Sequence, residues 1–281
     1  MHRLGFIILL SFGCQAGGTL LAAEPVIIVL IAGRPSHPPG EHEYNAGITI
    51  LDRCLRLNKD VQTRIVRGGW PTDETVFEGA SALVFYMDGG VNHPIVQDGH
   101  LEKIGRLMKK GVGLACLHYA IEVPMDKGGK EFLEWLGGYY ESGYSQNPVN
   151  YVVVKQTAPK HPISRGWNSF AGDDEWYFKI RFRPDDKRVT PILTALLPPN
   201  EPNREVVSWA TQREDGGRGF GFCGGHFYRN WNNRDLRQVV VNGILWAAKA
   251  DIPKNGAKVD IPAEDLIVPL DVKPASSRKK K

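Results

Sequence analysis

Cysteine is scarce: 4 residues in 281, with Cys14 near the N-terminus and Cys54, Cys116 and Cys223 far apart in the body. Three widely spaced cysteines exclude a disulfide-stapled scaffold and leave room for one bridge at most. No run beyond the N-terminus approaches the roughly 20 apolar residues of a membrane helix, so the mature chain is not expected to insert stably in a bilayer. A basic face is missing too. The formal charge is +4, but Arg278, Lys279, Lys280 and Lys281 account for all of it and Arg3 adds one more, leaving the body near neutrality. Nucleic acid is therefore not the expected ligand, since a phosphate footprint needs clustered cations. The chain also lacks internal repeats and any compact metal-ligand motif.

What is present begins with an export-type leader. His2 and Arg3 give a basic start, Leu4 to Phe12 an apolar segment, and Leu21-Ala22-Ala23 a small-residue exit before Glu24-Pro25, which predicts a signal peptide over 1–23 and a secreted or periplasmic protein. Ser11-Phe12-Gly13-Cys14 matches a lipoprotein box poorly, so no lipid anchor is expected at Cys14. Next comes one domain, 24–252, and then an extended basic tail, 253–281, rich in Pro and Lys.

Within the domain, Pro25 to Ala32 is a continuous β-branched and leucine run, as in a buried strand. Asn45 to Leu57 has helical spacing, Val61 to Val66 and Ala82 to Tyr86 are further strands, Leu101 to Lys110 is a helix and Gly111 to Ala115 a fourth strand. This alternation predicts a doubly wound, mostly parallel α/β sheet flanked by helices. Short strands follow at Tyr151 to Lys155, Glu175 to Phe182, Val189 to Leu196, Glu205 to Thr211 and Gly219 to Cys223, which add mixed or antiparallel strands. Leu236 to Lys249 is a closing helix.

Loops at the carboxyl ends of strands in such a sheet converge on one crevice. Chemistry-bearing residues fall in five such places: His37 to Glu43, Asp88, Cys116 with His118, Asp173 to Tyr177, and His226 with Tyr228 and Trp231. His118 and His226 are candidate acid–base catalysts, with Glu175 as a partner carboxylate and Cys116 as a candidate nucleophile. His37, His42, His118 and His226 are the candidate metal ligands: three imidazoles with a carboxylate from Glu41, Glu43 or Asp88 would suit zinc or a similar divalent ion. Glu41, Glu43, Asp88, Tyr119, Trp176, Tyr228 and Trp231 are candidate substrate contacts.

Several segments, in this order, resemble the ThuA-like (trehalose-utilisation) family: Gly40-Glu41-His42-Glu43-Tyr44, Lys110 to His118, His161-Pro162-Ile163, Asp173-Asp174-Glu175-Trp176-Tyr177, Gly224-Gly225-His226 and Asn242 to Ala248. The resemblance covers roughly Pro25 to Ala250. It implies a class I glutamine amidotransferase-like fold, a small-molecule carbohydrate as partner, and an enzyme of keto-sugar or glycoside catabolism. Glutaminase chemistry is not implied. An amidotransferase elbow carries glycines two residues either side of its cysteine, where this chain has Leu114 and His118 around Cys116. Phe227, Tyr228 and Arg229 follow His226 where Pro and Glu are expected. Two other readings remain open at this point: a non-catalytic carbohydrate-binding or accessory protein, and a cysteine hydrolase using Cys116 and His226.

Overall fold

The computed structural model describes residues 24–273; the leader and the terminal basic cluster lie outside them. Strand β1 (Val26–Ala32) is followed by α1 (Tyr44–Arg56), β2 (Val61–Val66), β3 (Ala82–Tyr86), α2 (His100–Lys109) and β4 (Gly113–Leu117). Then come α3 (Lys130–Trp135), β5 (Gly138–Tyr139), β6 (Val149–Gln156), β7 (Phe170–Glu175) and β8 (Arg181–Phe182). The chain closes with β9 (Val189–Leu197), β10 (Asn203–Gln212), β11 (Arg218–Phe222), α4 (Arg234–Ala247) and the single turn α5 (Ala263–Leu266).

Nine strands form one sheet in the order β2-β1-β3-β4-β11-β10-β9-β6-β7, and β5 pairs with β8 apart from it. The block β2-β1-β3-β4-β11 is parallel, and β10, β9, β6 and β7 extend it by antiparallel pairing. Every residue of β3 and β4 is buried, as a parallel sheet covered on both faces requires. In β6, by contrast, Val152 and Val154 are buried while Tyr151, Val153 and Lys155 are exposed, the alternation of a half-covered antiparallel strand.

Helix α4 is buried along almost its whole length and lies so close to β11 that a Cβ on Gly243 would meet the Phe220 ring at 2.3 Å. Helix α1 packs beside α4. On β11 the neighbours of Phe220 point the opposite way, and a Cβ on Gly219 would strike the end of α3, which places α3 across the sheet from α4.

Three expectations need correction. Strand four begins and ends two residues later than its apolar run suggested, because Gly111, at φ 78°, terminates the preceding helix instead of opening the strand. The expected strand Glu175 to Phe182 is two pieces: β7 ends at Glu175, and β8 pairs elsewhere. The segment after Asp251 is extended, but through Lys273 it is pinned to the body. Ile252, Ala257 and Val259 are buried, Asn242 Oδ1 accepts the Ala257 N–H, and the Asp271 carboxylate accepts the N–H groups of Asn45 and Ala46 at the start of α1.

Candidate functional site

The carboxyl ends of β1, β3, β4 and β11 open on one edge of the sheet. The loop after β1 carries His37, Glu41 and His42, the end of β3 leads to Asp88, β4 runs straight into His118, and β11 leads through Gly224-Gly225 to His226. The ribbon β6–β7 brings a further group from far away. Strand β6 pairs with β9 only at Lys155 and Gln156, and β7 runs in the same direction as β11, so its last residue, Glu175, reaches this edge. Asp174, fully buried, fixes the reach: its carboxylate accepts N–H bonds from Gly225 at 2.7 Å, His226 at 3.0 Å and Phe227 at 3.4 Å.

Four side chains meet there. His42 Nε2 lies 2.9 Å from His226 Nδ1 and 3.1 Å from His118 Nε2, and His226 Nδ1 lies 3.3 Å from His118 Nε2. Glu175 Oε2 is 3.2 Å from His226 Nδ1 and 3.4 Å from His118 Nε2. All four ligand atoms fall within 4.8 Å of one another. His42 and His118 are almost wholly buried, and both hold a positive φ, 47° and 53°, a region that non-glycine residues rarely enter. Such strain at converging polar side chains marks a site where position matters more than backbone comfort.

The outward nitrogens of the rings set their tautomers. His118 Nδ1 faces the Cys223 carbonyl oxygen at 3.0 Å, His42 Nδ1 faces Tyr44 Oη at 2.6 Å and Asp88 Oδ1 at 3.3 Å, and His226 Nε2 lies 3.6 Å from Glu41 Oε2. Tyr44 gives its own proton to Asp88, so at each place the partner accepts and the outward nitrogen is the one that carries the proton. The three inward nitrogens are then bare lone pairs, facing one another and a carboxylate. Four acceptors with no proton between them repel unless a cation lies at their centre. Bonds of about 2.0–2.1 Å from zinc to nitrogen would put tetrahedral ligand atoms roughly 3.3 Å apart; five of the six separations here run from 2.9 to 3.4 Å, and the sixth, between His42 and Glu175, is wider but within 4.8 Å. An outward hydrogen bond from each ligand imidazole is also the usual support of a metal centre. The residues fit a divalent ion.

The titration behaviour agrees. Burial, reinforced by the neighbouring imidazoles of His118, His37 and His226, lowers His42 to about 3 against the opposing pull of Asp88. Burial pushes the Glu175 carboxyl up, but the adjoining His118 and His226 side chains outweigh it and hold the group well below the carboxylate range, so Glu175 is an anion facing the cluster. Asp88 is likewise raised by burial and brought down further by His42, Tyr44 and Ser36.

The other candidates divide. Asp88 accepts from Tyr44 Oη at 2.6 Å and Ser36 Oγ at 2.8 Å, and Tyr119 stands over the cluster with its ring 5.8 Å from that of His42. His37 stacks on His42 at 3.7 Å and borders Asp88, forming a rim outside the four-ligand set. The carboxylate that joins the three imidazoles is Glu175, not Glu41, Glu43 or Asp88.

Five candidates lie elsewhere. Cys116 is inside β4, fully buried and without a hydrogen bond to His226 among the described residues, and burial raises its thiol far above the usual range. The turn after the strand is made at His118, with its positive φ of 53°, so the imidazole and not the thiol takes the elbow position at the strand end. Trp176 packs in the core against Gly224 and Phe222, and Trp231 against Tyr86 and Gly47. Glu43 is wholly buried and accepts the N–H groups of Gly40 and Asp271, while Tyr228 donates to the Leu266 carbonyl; both hold the C-terminal segment.

Glu122 is a member that sequence reasoning missed. Burial, with Glu175 nearby, pushes its carboxyl up to about 7, and it borders Tyr119 across Gly90. Its place in the same strand-end loop as His118 was the available signal. Tyr177, whose ring packs 4.6 Å from that of His118, closes the buried side.

The sequence matches the family described as ThuA, trehalose utilisation, over residues 29–247. No curated protein matches. Among solved structures, a putative ThuA-like protein from Bacteroides uniformis ATCC 8492 is similar with a TM-score of 0.61 at 16% identity, over 85% of this chain and 97% of that one. A second, from Parabacteroides merdae ATCC 43184, has a TM-score of 0.58 at 16% identity, over 84% and 96%. Agd3, described as a novel carbohydrate deacetylase, has a TM-score of 0.50 at 10% identity, over 80% of this chain and 32% of that one. At these identities the structural likeness speaks for the fold alone.

Proposed function

The chain belongs to the ThuA (trehalose-utilisation) family, and on that premise we propose that it is a secreted, metal-dependent enzyme of carbohydrate catabolism acting on a keto-sugar or glycoside. The observation that carries the reading is the convergence of three bare imidazole nitrogens and the Glu175 carboxylate on one point. A divalent ion held by His42, His118, His226 and Glu175 would act as a Lewis acid toward a sugar carbonyl or hydroxyl oxygen. Around it the chain's own groups divide the work. Asp88, Glu41 and the Cys223 carbonyl orient the imidazoles. Glu122, still protonated to about pH 7, is placed to give a proton to a departing or developing oxyanion, as a general acid tuned near the operating pH does best. Tyr119 borders the opening.

The substrate class rests on the family's described role and on the carbohydrate named for the deacetylase neighbour. The burial of Cys116 within β4 speaks against the cysteine-hydrolase alternative. The signal-peptide reading of 1–23 stands on its basic start and apolar segment, and N-terminal sequencing of exported protein should begin at or near Glu24.

The deciding experiment pairs metal analysis of purified protein with zinc titration of wild type, His118→Ala and Glu175→Gln, followed by a turnover screen on keto-glycosides and their parent sugars. Near-stoichiometric metal, lost in both variants together with turnover, is expected. Failure of the wild type to bind any divalent ion would overturn the metal centre, and intact metal binding without turnover on any sugar would favour the carbohydrate-binding alternative.

A further inference from the structure

Asp174 fixes the backbone at Glu175 but not the Glu175 carboxylate. The last torsion of a glutamate side chain is broad and roughly two-fold, so a carboxylate with no second restraint swings about it. Here a second restraint is present. Glu175 Oε2 faces His226 and His118, while Oε1 accepts the Asn147 Nδ2–H at 3.0 Å. The two oxygens are thereby given different partners, the imidazoles for one and an amide for the other.

That amide has a single workable orientation. Asn147 Oδ1 accepts from Tyr140 Oη at 3.0 Å; turned over, the amide would set its carbonyl oxygen against the Glu175 anion, two acceptors with no proton between them. Asn147 itself is on the surface, but the groups that hold it are anchored. Tyr140 is buried, its backbone N–H donates to the Ile121 carbonyl at 3.0 Å, and its ring packs 4.8 Å from that of Tyr177, the neighbour of His118. Gln146 and Phe178 exchange both backbone hydrogen bonds, at 3.1 and 2.9 Å. The buried Ser145 hydroxyl donates to the Lys179 carbonyl at 2.7 Å and accepts the Glu141 N–H at 3.0 Å. Phe178 and Lys179 follow Glu175 closely in the chain, so the loop that carries Asn147 is tied to the same stretch as the carboxylate it contacts.

The number of carboxylate oxygens offered decides what the centre can do. Three imidazoles and one oxygen are four ligand atoms, and a second oxygen from Glu175 would be a fifth. Catalytic zinc sites keep a position for water or substrate and expand to five ligands in the transition state, so a carboxylate that offered both oxygens would fill the place substrate needs. We propose that Asn147 is a positioning residue that keeps Glu175 a one-oxygen ligand, with Tyr140 setting the amide, and so preserves one coordination place for substrate. The assignment rests on the reading of the cluster as a metal centre. It adds to that site two residues that act through Glu175 and not on the reacting atoms.

The test is cobalt(II) titration of the full mature protein, followed by its visible absorption and by the response of that absorption to azide. Cobalt(II) absorbs more weakly in the visible as its ligand number rises, and azide needs a free place to bind. In Asn147→Ala the released Oε1 should turn toward the ion, so visible absorption should fall below that of wild type and azide should bind about tenfold more weakly, as expected of a disturbed outer support. Tyr140→Phe keeps the ring packing, removes the hydroxyl, and should move both readouts the same way by less. Because Asn147 is exposed, the Tm of Asn147→Ala should stay within about 2 °C of wild type. Absorption that rises in Asn147→Ala, as it would if Glu175 left the ion, would overturn the proposal. So would a fall in Tm with an unmoved spectrum, which would leave Asn147 a structural role only. Wild type that binds cobalt, with spectrum and azide affinity unchanged in Asn147→Ala, refutes this inference alone. Wild type that binds no cobalt refutes the metal centre and this inference with it.

Discussion

Lys273 is the most exacting place to perturb the molecule, because it lies over 200 residues from the loop it organises. Its ammonium is largely buried, donates to the carbonyl oxygens of Ser36 and Glu41 at 2.8 Å and of His42 at 3.1 Å, and lies 3.4 Å from the fully buried Glu43 carboxylate. Lys273→Met keeps the stem and removes the charge. Glu43 would then be a buried anion held only by the N–H groups of Gly40 and Asp271, and three carbonyls of the metal-ligand loop would lose their donor. Removing one partner of a buried pair costs about 3–5 kcal/mol. The two remaining N–H bonds to Glu43 argue for the lower end. In a domain of this size each kcal/mol shifts Tm by about 2–4 °C, so a fall of roughly 6–12 °C is expected. Because the loop carries His42 and Glu41, zinc affinity should drop as well, by about 10–100-fold, the usual effect of disturbing the outer support of a metal ligand. Differential scanning calorimetry and a competitive zinc titration measure the two effects, with Lys273→Arg as the charge-preserving control. A Tm within about 2 °C of wild type together with unchanged zinc affinity would refute the reasoning.

Three further outcomes are expected. Cys116→Ser should retain turnover while His118→Ala abolishes it, because the imidazole and not the thiol stands at the turn after β4; the opposite result in a steady-state assay would restore the cysteine-hydrolase reading. Glu122→Gln should remove the limb of the kcat/KM profile near pH 7: a carboxyl raised to about 7 is protonated below that pH, so activity in the wild type should fall as pH rises through it, and a limb that persists in the variant would assign it to another group. Stability should fall below pH 6.5. Buried His93, lowered to about 4 by burial, accepts the Ile95 N–H at Nδ1 and donates from Nε2 to the Ala120 carbonyl, so a second proton has no acceptor. The unfolded chain binds that proton more readily, so stability is complete above about pH 6.5 and is lost as pH falls toward 4, by up to about 3 kcal/mol. His93→Asn, which keeps an acceptor for Ile95, should flatten the dependence of Tm on pH between 6.5 and 4.5, and an unchanged slope would count against it.

The parallel half of the sheet was legible in the sequence because its strands are covered on both faces, and such strands are written as unbroken apolar runs. The same property hid the register of β4. Gly111 to Leu117 is apolar throughout, so nothing in the run itself distinguishes a helix-ending Gly111 from a strand-opening one, and the two-residue difference decides whether Cys116 or His118 takes the turn. The antiparallel additions were legible as short strands but not as partners. A strand pattern around Glu175 says nothing of the β6–β7 ribbon that carries it to the cluster, since that reach depends on pairing confined to Lys155 and Gln156. Asp271 and Lys273 read as polar tail residues, because the groups that make them structural, the start of α1 and the Glu43 carboxylate, are adjacent only after folding.

The histidine centre escaped motif recognition for a related reason. Compact metal motifs place ligands on one helix or hairpin, where spacing alone fixes geometry. Here His42, His118, Glu175 and His226 come from four separate strand ends, and the sheet supplies the spacing. Each imidazole must then be oriented individually, and three different devices do so: a carboxylate at the end of β3, a backbone carbonyl beside β11, and the half-buried Glu41 on the His42 loop itself. Asp174 does the same for the fourth ligand by binding three successive backbone N–H groups of the His226 loop, which ties the position of Glu175 to that of the imidazole it faces. A centre built this way is rigid only while the sheet is intact. Loss of the β7 anchor should therefore loosen Glu175 and His226 together, whereas loss of Asp88 should loosen His42 alone.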